Sequence, residues 1–222
     1  MRIVLAGGHG KIALLLTRLA AGRGDTVVGL VRNPDHVQDV RDHGGDAVVL
    51  DLESATAEQV AAVLAGADAA VFAAGAGPGS GTARKETVDR DAAALLADAA
   101  LIAGVRRHVQ ISAMGLDRAD DPGMDEVFAV YLRAKDAAER ALRARDLDWT
   151  VLRPGRLTDD PAAGAVALAG SVEPGAVSRA DVAAVVLALL DDPGTAGLTL
   201  ELVGGGTPVA EAVQSLPRTR AE

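Results

Sequence analysis

Cysteine is absent from the 222-residue chain, and aromatic side chains make up only 2% of it. Without thiols, neither disulfides nor thiolate chemistry is open to the protein, and a reducing cytoplasm is its expected home. Basic charge is outweighed: 22 Lys and Arg face 31 Asp and Glu, for a formal net charge of −9. An acidic chain with so few rings for stacking lacks both the electrostatic footprint and the platforms that nucleic acid requires. No uncharged apolar run reaches the roughly 18 residues of a membrane span, and the opening apolar stretch is too short and glycine-broken for a cleavable leader. The expected partner is therefore a small-molecule substrate, with neither nucleic acid nor membrane, and no metal is called for.

What is abundant is small and apolar. Hydrophobic residues form 49% of the chain and glycine occurs 25 times, enough for one sizeable core. Short apolar runs alternate with alanine-rich segments of helical period. The strands expected are Ile3–Ala6, Thr26–Val31, Ala47–Leu50, Ala69–Ala73, His108–Ser112 and Thr150–Leu152. Helices are expected near Gly10–Ala21, Ala57–Leu64, Thr87–Ala103 and Met124–Arg145, with a weaker one after Pro34. Strands apolar at nearly every position are buried on both faces, and strand–helix alternation makes a parallel sheet. The fold class is α/β, a Rossmann doubly wound parallel sheet with helices on both faces. Residues 1–222 read as one such domain. From 155 to 217 the pattern loosens around Pro161, Gly164, Gly170, Pro174 and Gly175, then gives a helix at Arg179–Leu190 and a strand at Leu198–Val203. This region is expected to form a small C-terminal substrate cap. The long helix Met124–Arg145 either pairs with its own copy or covers the sheet, leaving monomer and homodimer both open.

The first strand runs into Gly7-Gly8-His9-Gly10-Lys11-Ile12-Ala13 and then a helix. Glycines permit a sharp turn and close approach to phosphate oxygens, while the free N–H groups and positive dipole end of the helix face the negative charge. The strand–glycine–helix context, more than the glycine spacing itself, marks a dinucleotide site. Within that loop the His9 backbone amide matters more than its ring. Ala13 stands where a third glycine would ease helix–strand packing, and one added methyl is tolerable there. The second strand ends at Arg32 where NAD-specific chains carry an acid. A guanidinium can fork onto a 2′-phosphate, so NADP is the expected cofactor, although a solvated arginine at a strand end is also ordinary. Asp51, ending the third strand before Leu52, suits a polar contact to the adenine edge or is simply a turn acid. Ala73, Ala74, Gly75 and Pro154 complete the cofactor candidates at strand ends, where ligands of such sheets bind.

Tyr131 is the only tyrosine, and Lys135 is one of three lysines, with Lys11 and Lys85, among the 22 basic residues. Four apart on a helix, Tyr131 and Lys135 share a face. An ammonium near a phenol favours the phenolate and moves its pKa from about 10 toward neutrality. Lysine's compact charge also suits the nicotinamide ribose better than arginine's planar fork. The alternative is a packed tyrosine with an exposed lysine. Ser112, at the end of the fifth strand, can hydrogen-bond a substrate carbonyl oxygen as charge develops.

Gly7-x-x-Gly10-x-x-Ala13, Arg32, Thr87-Val88-Asp89, Ser112, Tyr131-x-x-x-Lys135, Leu152-Arg153-Pro154-Gly155 and Ser178-Arg179-Ala180-Asp181-Val182-Ala183 together resemble the short-chain dehydrogenase/reductase superfamily. The match is to its atypical NAD(P)H-binding branch, with NmrA-like proteins and flavin or biliverdin reductase relatives, over essentially the whole chain. The resemblance implies NADP binding through Gly7, Gly10, Lys11, Ile12 and Arg32, with Ser112, Tyr131 and Lys135 as a reductase triad. It also implies that Asp89 stands where other members carry a catalytic asparagine, which weakens a water relay there. The expected activity is NADP-dependent hydride transfer to a small carbonyl-type substrate. Two alternatives stand beside it: a non-catalytic NADPH-sensing regulatory protein, and an NAD(P)-dependent sugar-nucleotide epimerase or dehydratase. Arg153, Arg156 and Met114 are further candidates for the pocket wall.

Overall fold

Apolar residues at consecutive positions build the centre of the sheet because both of its faces are covered. In β1 (Arg2–Ala6) the side chains of Ile3, Val4, Leu5 and Ala6 are all fully buried. They divide by period two: Ile3 and Leu5 join one apolar cluster with Ala13, Leu16, Val185 and Val186, while Val4 and Ala6 join another with Val60, Leu96 and Leu142. One strand thus supplies two cores, as parallel sheets require.

The protein is described by a computed structural model covering residues 1–75, 77 and 81–218. After β1 come α1 (Lys11–Gly22), β2 (Thr26–Val31), α2 (Val37–Asp42), β3 (Asp46–Val49), α3 (Ala57–Leu64), β4 (Ala69–Phe72) and α4 (Gly81–Arg84). A π-helical segment, Lys85–Asp91, then leads directly into α5 (Ala92–Ala103). There follow β5 (Arg107–Ile111), α6 (Glu126–Arg143), β6 (Asp148–Pro154), β7 (Arg156–Thr158), β8 (Ala165–Ala169), β9 (Ala176–Ser178), α7 (Arg179–Leu190), β10 (Thr199–Gly204), β11 (Thr207–Pro208) and α8 (Val209–Gln214). Among the described residues the main sheet has nine strands in the order β11-β8-β10-β6-β5-β4-β1-β2-β3. From β3 to β10 every pairing is parallel, and β8 runs antiparallel beside β10. Strand order reverses beside β1, where β2 lies on one flank and β4 on the other. That is the switch point at which such sheets open a crevice for ligands. Helices α1, α7 and α8 cover one face, and α3, α5 and α6 the other. The Rossmann fold expected from the alternation is therefore the observed one.

The region 155–217 contributes both to the wall of the main cavity and to the sheet. Its short β7 pairs with β9, and Leu157 on β7 reaches the main cavity. The remainder widens the sheet through β8, β10 and β11, and α7 packs into the core beside α1. The buried Asp181 carboxylate ties this region down, accepting from Ser178 Oγ and from the amides of Ala163 and Gly164. Among the described residues, no helix is long and apolar enough to cross a membrane.

Candidate functional site

The glycine loop is shaped by two close backbone approaches. Gly7 has φ +79°, and a Cβ there would stand 2.6 Å from Ala74 Cα; a Cβ on Gly8 would stand 2.5 Å from Gly29 Cα. No side chain caps the start of α1, whose N-cap is Gly10, and its first turn holds no acid. Room, free amides and the positive helix end thus coincide, and the cradle fits a pyrophosphate. Ala13, the departure at the third motif position, is fully buried within the core beside α1.

Two adjoining cavities open along the carboxyl ends of the strands. One, of about 290 Å³, is lined by Gly7, His9, Gly10, Arg32, Asp51, Leu52, Ala73, Ala74 and Gly75. The other, of about 450 Å³, is lined by Ile12, Asp89, Ser112, Tyr131 and Lys135 and shares Ala73, Ala74 and Gly75 with the first. The structure therefore brings most expected site residues into one continuous groove, with the end of β4 as its waist. Two lie outside it. The Lys11 ammonium turns away to an exposed ion pair with Asp159 at 2.5 Å. Pro154 is buried at the end of β6, where its carbonyl accepts the Met114 amide.

Around the smaller cavity, the His9 ring stacks on His36 at 3.6 Å between centroids and meets Asp39 at 2.7 Å. Arg32 is not alone. Glu53 lies 3.4 Å from its guanidinium and 2.8 Å from that of Arg84, and accepts from Thr87 Oγ1 at 2.6 Å. The Thr87 hydroxyl and then Arg84 hold the Glu53 carboxyl below the usual carboxylate range. Glu53 and Arg84 carried no motif, and only the fold brings them beside Arg32.

In the larger cavity Lys135 is buried and pairs with the fully buried Asp89 at 3.2 Å. Its ammonium also donates to the Ile111 and Ala74 carbonyls and stands 5.9 Å from the Tyr131 ring centroid. The tuning anticipated for the phenol is outweighed here. Burial pushes the Tyr131 pKa up, the Lys135 charge pulls it down, and Asp89 adds to the rise. The net direction is upward, so the phenol holds its proton at neutral pH.

Ser112 also differs from expectation. Its hydroxyl donates to Glu139 Oε1 at 2.6 Å, so its single proton is committed to a carboxylate rather than directed at a substrate oxygen. Glu139 is fully buried and accepts from Arg153 Nη2 and Arg143 Nη2, each at 2.7 Å. Arg153, read as a pocket residue, is taken up by this pair instead. Lys85 and Phe128 line the cavity as well. The π turn Lys85–Asp91 buries both Lys85 and Asp89, a helical irregularity of the kind that gathers at functional sites.

A family model described as NAD(P)H-binding matches residues 7–193. The chain is 35% identical to YhfK of Bacillus subtilis, named an uncharacterized sugar epimerase, across 97% of this chain and 100% of that protein. It is 34% identical to UPF0659 protein C216.03 of Schizosaccharomyces pombe, across 95% and 92% of the two chains. The structure of the oxidoreductase ylbE of Lactococcus lactis superposes with TM-score 0.86 at 26% identity, covering 100% of both chains. That of ChuY, an anaerobillin reductase of Escherichia coli O157:H7, superposes with TM-score 0.76 at 26% identity, covering 92% and 97%.

Proposed function

The chain belongs to the NAD(P)H-binding family, and from that premise we propose that it is an NADP-dependent reductase of a small carbonyl-type substrate, the bound nicotinamide supplying the hydride. The observation that carries this reading is the single groove running from Arg32 and Gly10 to the cavity of Tyr131, Lys135, Asp89 and Ser112. Gly7 and Gly10 would hold a pyrophosphate against the start of α1, with Ala73, Ala74 and Gly75 between the two cavities and Ile12 on the wall of the larger one. Asp51 and Leu52 border the adenosine end. Tyr131 donates the proton from its phenol oxygen. A phenol kept protonated by burial suits that role in the direction of reduction. Lys135, fixed by Asp89, would stabilise a developing phenolate by its charge and would reach a bound ribose by exchanging its bond to the Ile111 or Ala74 carbonyl. The Ser112 hydroxyl, anchored on Glu139, forms part of the polar wall there.

The oxidoreductase name of ylbE and the reductase name of ChuY support this reading. The name of YhfK supports the second reading, epimerisation of a nucleotide sugar. Deuterium at C4 of NADPH separates the two when the protein is incubated with a panel of aryl aldehydes, diketones and quinones. Stereospecific appearance of the label in a reduced product is expected. Oxidised cofactor that stays bound through purification, with no label transferred to any carbonyl, would favour epimerisation instead.

The cofactor preference carries its own test. Arg32 is half exposed and shares Glu53 with Arg84, so its grip on a 2′-phosphate is partly offset by an acid. Arg32→Ser should weaken NADPH binding by about tenfold, the loss of one charge-assisted contact in a solvated setting, while NADH affinity changes little. Fluorescence titration with both nucleotides reads this directly, and an equal loss for both would remove Arg32 from 2′-phosphate recognition.

A further inference from the structure

We propose that the Lys85 ammonium is an anion subsite of the larger cavity, and that the substrate is a small, mainly apolar molecule carrying a carboxylate next to its reducible carbonyl. The proposal rests on the reading of that cavity as the substrate site. It begins from a difference among the three lysines. Lys11 is ion-paired with Asp159 at 2.5 Å, and Lys135 with Asp89 at 3.2 Å. Lys85 is only 8% exposed, and among the described residues no carboxylate lies within ion-pair distance of it. Its ammonium donates to the Gly77 carbonyl at 2.8 Å. That bond uses one of three hydrogens. A cation in this state, withdrawn from water and opposed by no counter-ion, is held at a cost that an arriving anion relieves.

Position gives the anion its place. The Lys85 Nζ lies 5.2 Å from the centroid of the Tyr131 ring, nearer than the 5.9 Å of Lys135. A carboxylate seated on Lys85 therefore lies beside the Tyr131 ring, which leaves an adjacent carbonyl carbon in the part of the cavity that Tyr131 lines. Neither of the carboxylates lining the cavity is ion-paired with Lys85. Asp89 is engaged with Lys135, and the exposed Asp125 at the rim uses its carboxylate to cap α6 through the Phe128 amide at 2.9 Å. Apart from Ser112, Tyr131 and Lys135 the wall is mainly apolar, with Ile12, Phe128 and Leu157 among its residues. Of the two cations in this largely apolar pocket of about 450 Å³, only Lys85 lacks a carboxylate partner among the described residues, and that matches a compact 2-oxo acid with a hydrophobic tail better than a sugar, whose many hydroxyls would outnumber the polar groups there.

Benzoylformate and its methyl ester are matched probes, differing chiefly in the carboxylate charge. Both are titrated calorimetrically into protein saturated with NADP⁺, so that no turnover occurs. The acid is expected to bind about 10–100-fold more tightly than the ester, and Lys85→Met to abolish that preference while NADP⁺ affinity holds. Equal binding of the pair, binding of neither, or a preference undiminished in Lys85→Met overturns the proposal. Should Lys85→Met fail to fold, the acid–ester comparison on the unaltered protein still decides. NADP⁺ affinity, measured first, separately tests the cofactor reading, because its absence defeats the proposed function before Lys85 is at issue.

Discussion

Tyr131→Phe should lower kcat for NADPH-dependent reduction by about 10²–10⁴-fold, the usual worth of a positioned general acid, with the Kd for NADPH changed less than about twofold. The substitution removes one oxygen and keeps the ring. Packing against Phe128 at 5.7 Å and the Lys85 and Lys135 ring contacts survive, so a large loss reports the proton and not the fold. The direction of the Tyr131 pKa adds a second reading. Burial raises it against the pull of Lys135, so the donor form persists from neutral pH to beyond the ordinary value of about 10. Deprotonation of Tyr131 should then leave the reductive rate level between about pH 6 and 9 and diminish it only at higher pH. Stopped-flow oxidation of NADPH across that range measures both effects. An unchanged kcat in Tyr131→Phe would sink the acid role and leave a cofactor-binding protein without this chemistry.

The parts of the molecule legible in the sequence are those whose cause is local. Ile3–Ala6 reads as a two-sided strand because every position is apolar. The loop of Gly7, Gly8 and Gly10 reads as a phosphate cradle because its backbone must turn and approach other backbone closely, as the Ala74 and Gly29 contacts bear out. Tyr131 and Lys135 read as a pair because helix period places them together. What stayed hidden depends on partners far along the chain. Glu139 lies in a charged helical stretch and reads as a solvated side chain until β6 brings Arg153 beneath it. Glu53 becomes a neighbour of Arg32 only when β3 pairs with β2, and of Arg84 only when the helical run from Gly81 packs on the β3–α3 loop. The π turn that buries Lys85 and Asp89 leaves no periodic signature, since one widened turn is indistinguishable from helix in composition. Likewise, β8 and β11 pair at the sheet edge through contacts that no local pattern announces, whereas β10 matches the expected strand at Leu198–Val203.

Glu139→Ala should destabilise the fold by about 2–4 kcal/mol, below the roughly 3–5 of a fully dry pair broken on one side. The carboxylate is fully buried and gathers four donors: Ser112 Oγ at 2.6 Å, Arg153 Nε at 2.9 Å, and Arg153 Nη2 and Arg143 Nη2 at 2.7 Å each. Its removal leaves two guanidinium groups facing each other with no anion between them. They are not sealed from water, being 32% and 23% exposed, and Arg143 retains Thr199 Oγ1 at 2.8 Å and the Trp149 ring. Solvent therefore screens part of the repulsion, which sets the reduced figure. For a chain of this size each kcal/mol moves Tm by about 2–4 °C, so a fall of roughly 5–15 °C is expected by calorimetry. Glu139→Gln, which keeps an acceptor for Ser112 but loses the charge, should fall between the two. A Tm shift under about 2 °C in Glu139→Ala would show that the arginines repartner without cost and that the buried carboxylate does not organise this wall of the cavity.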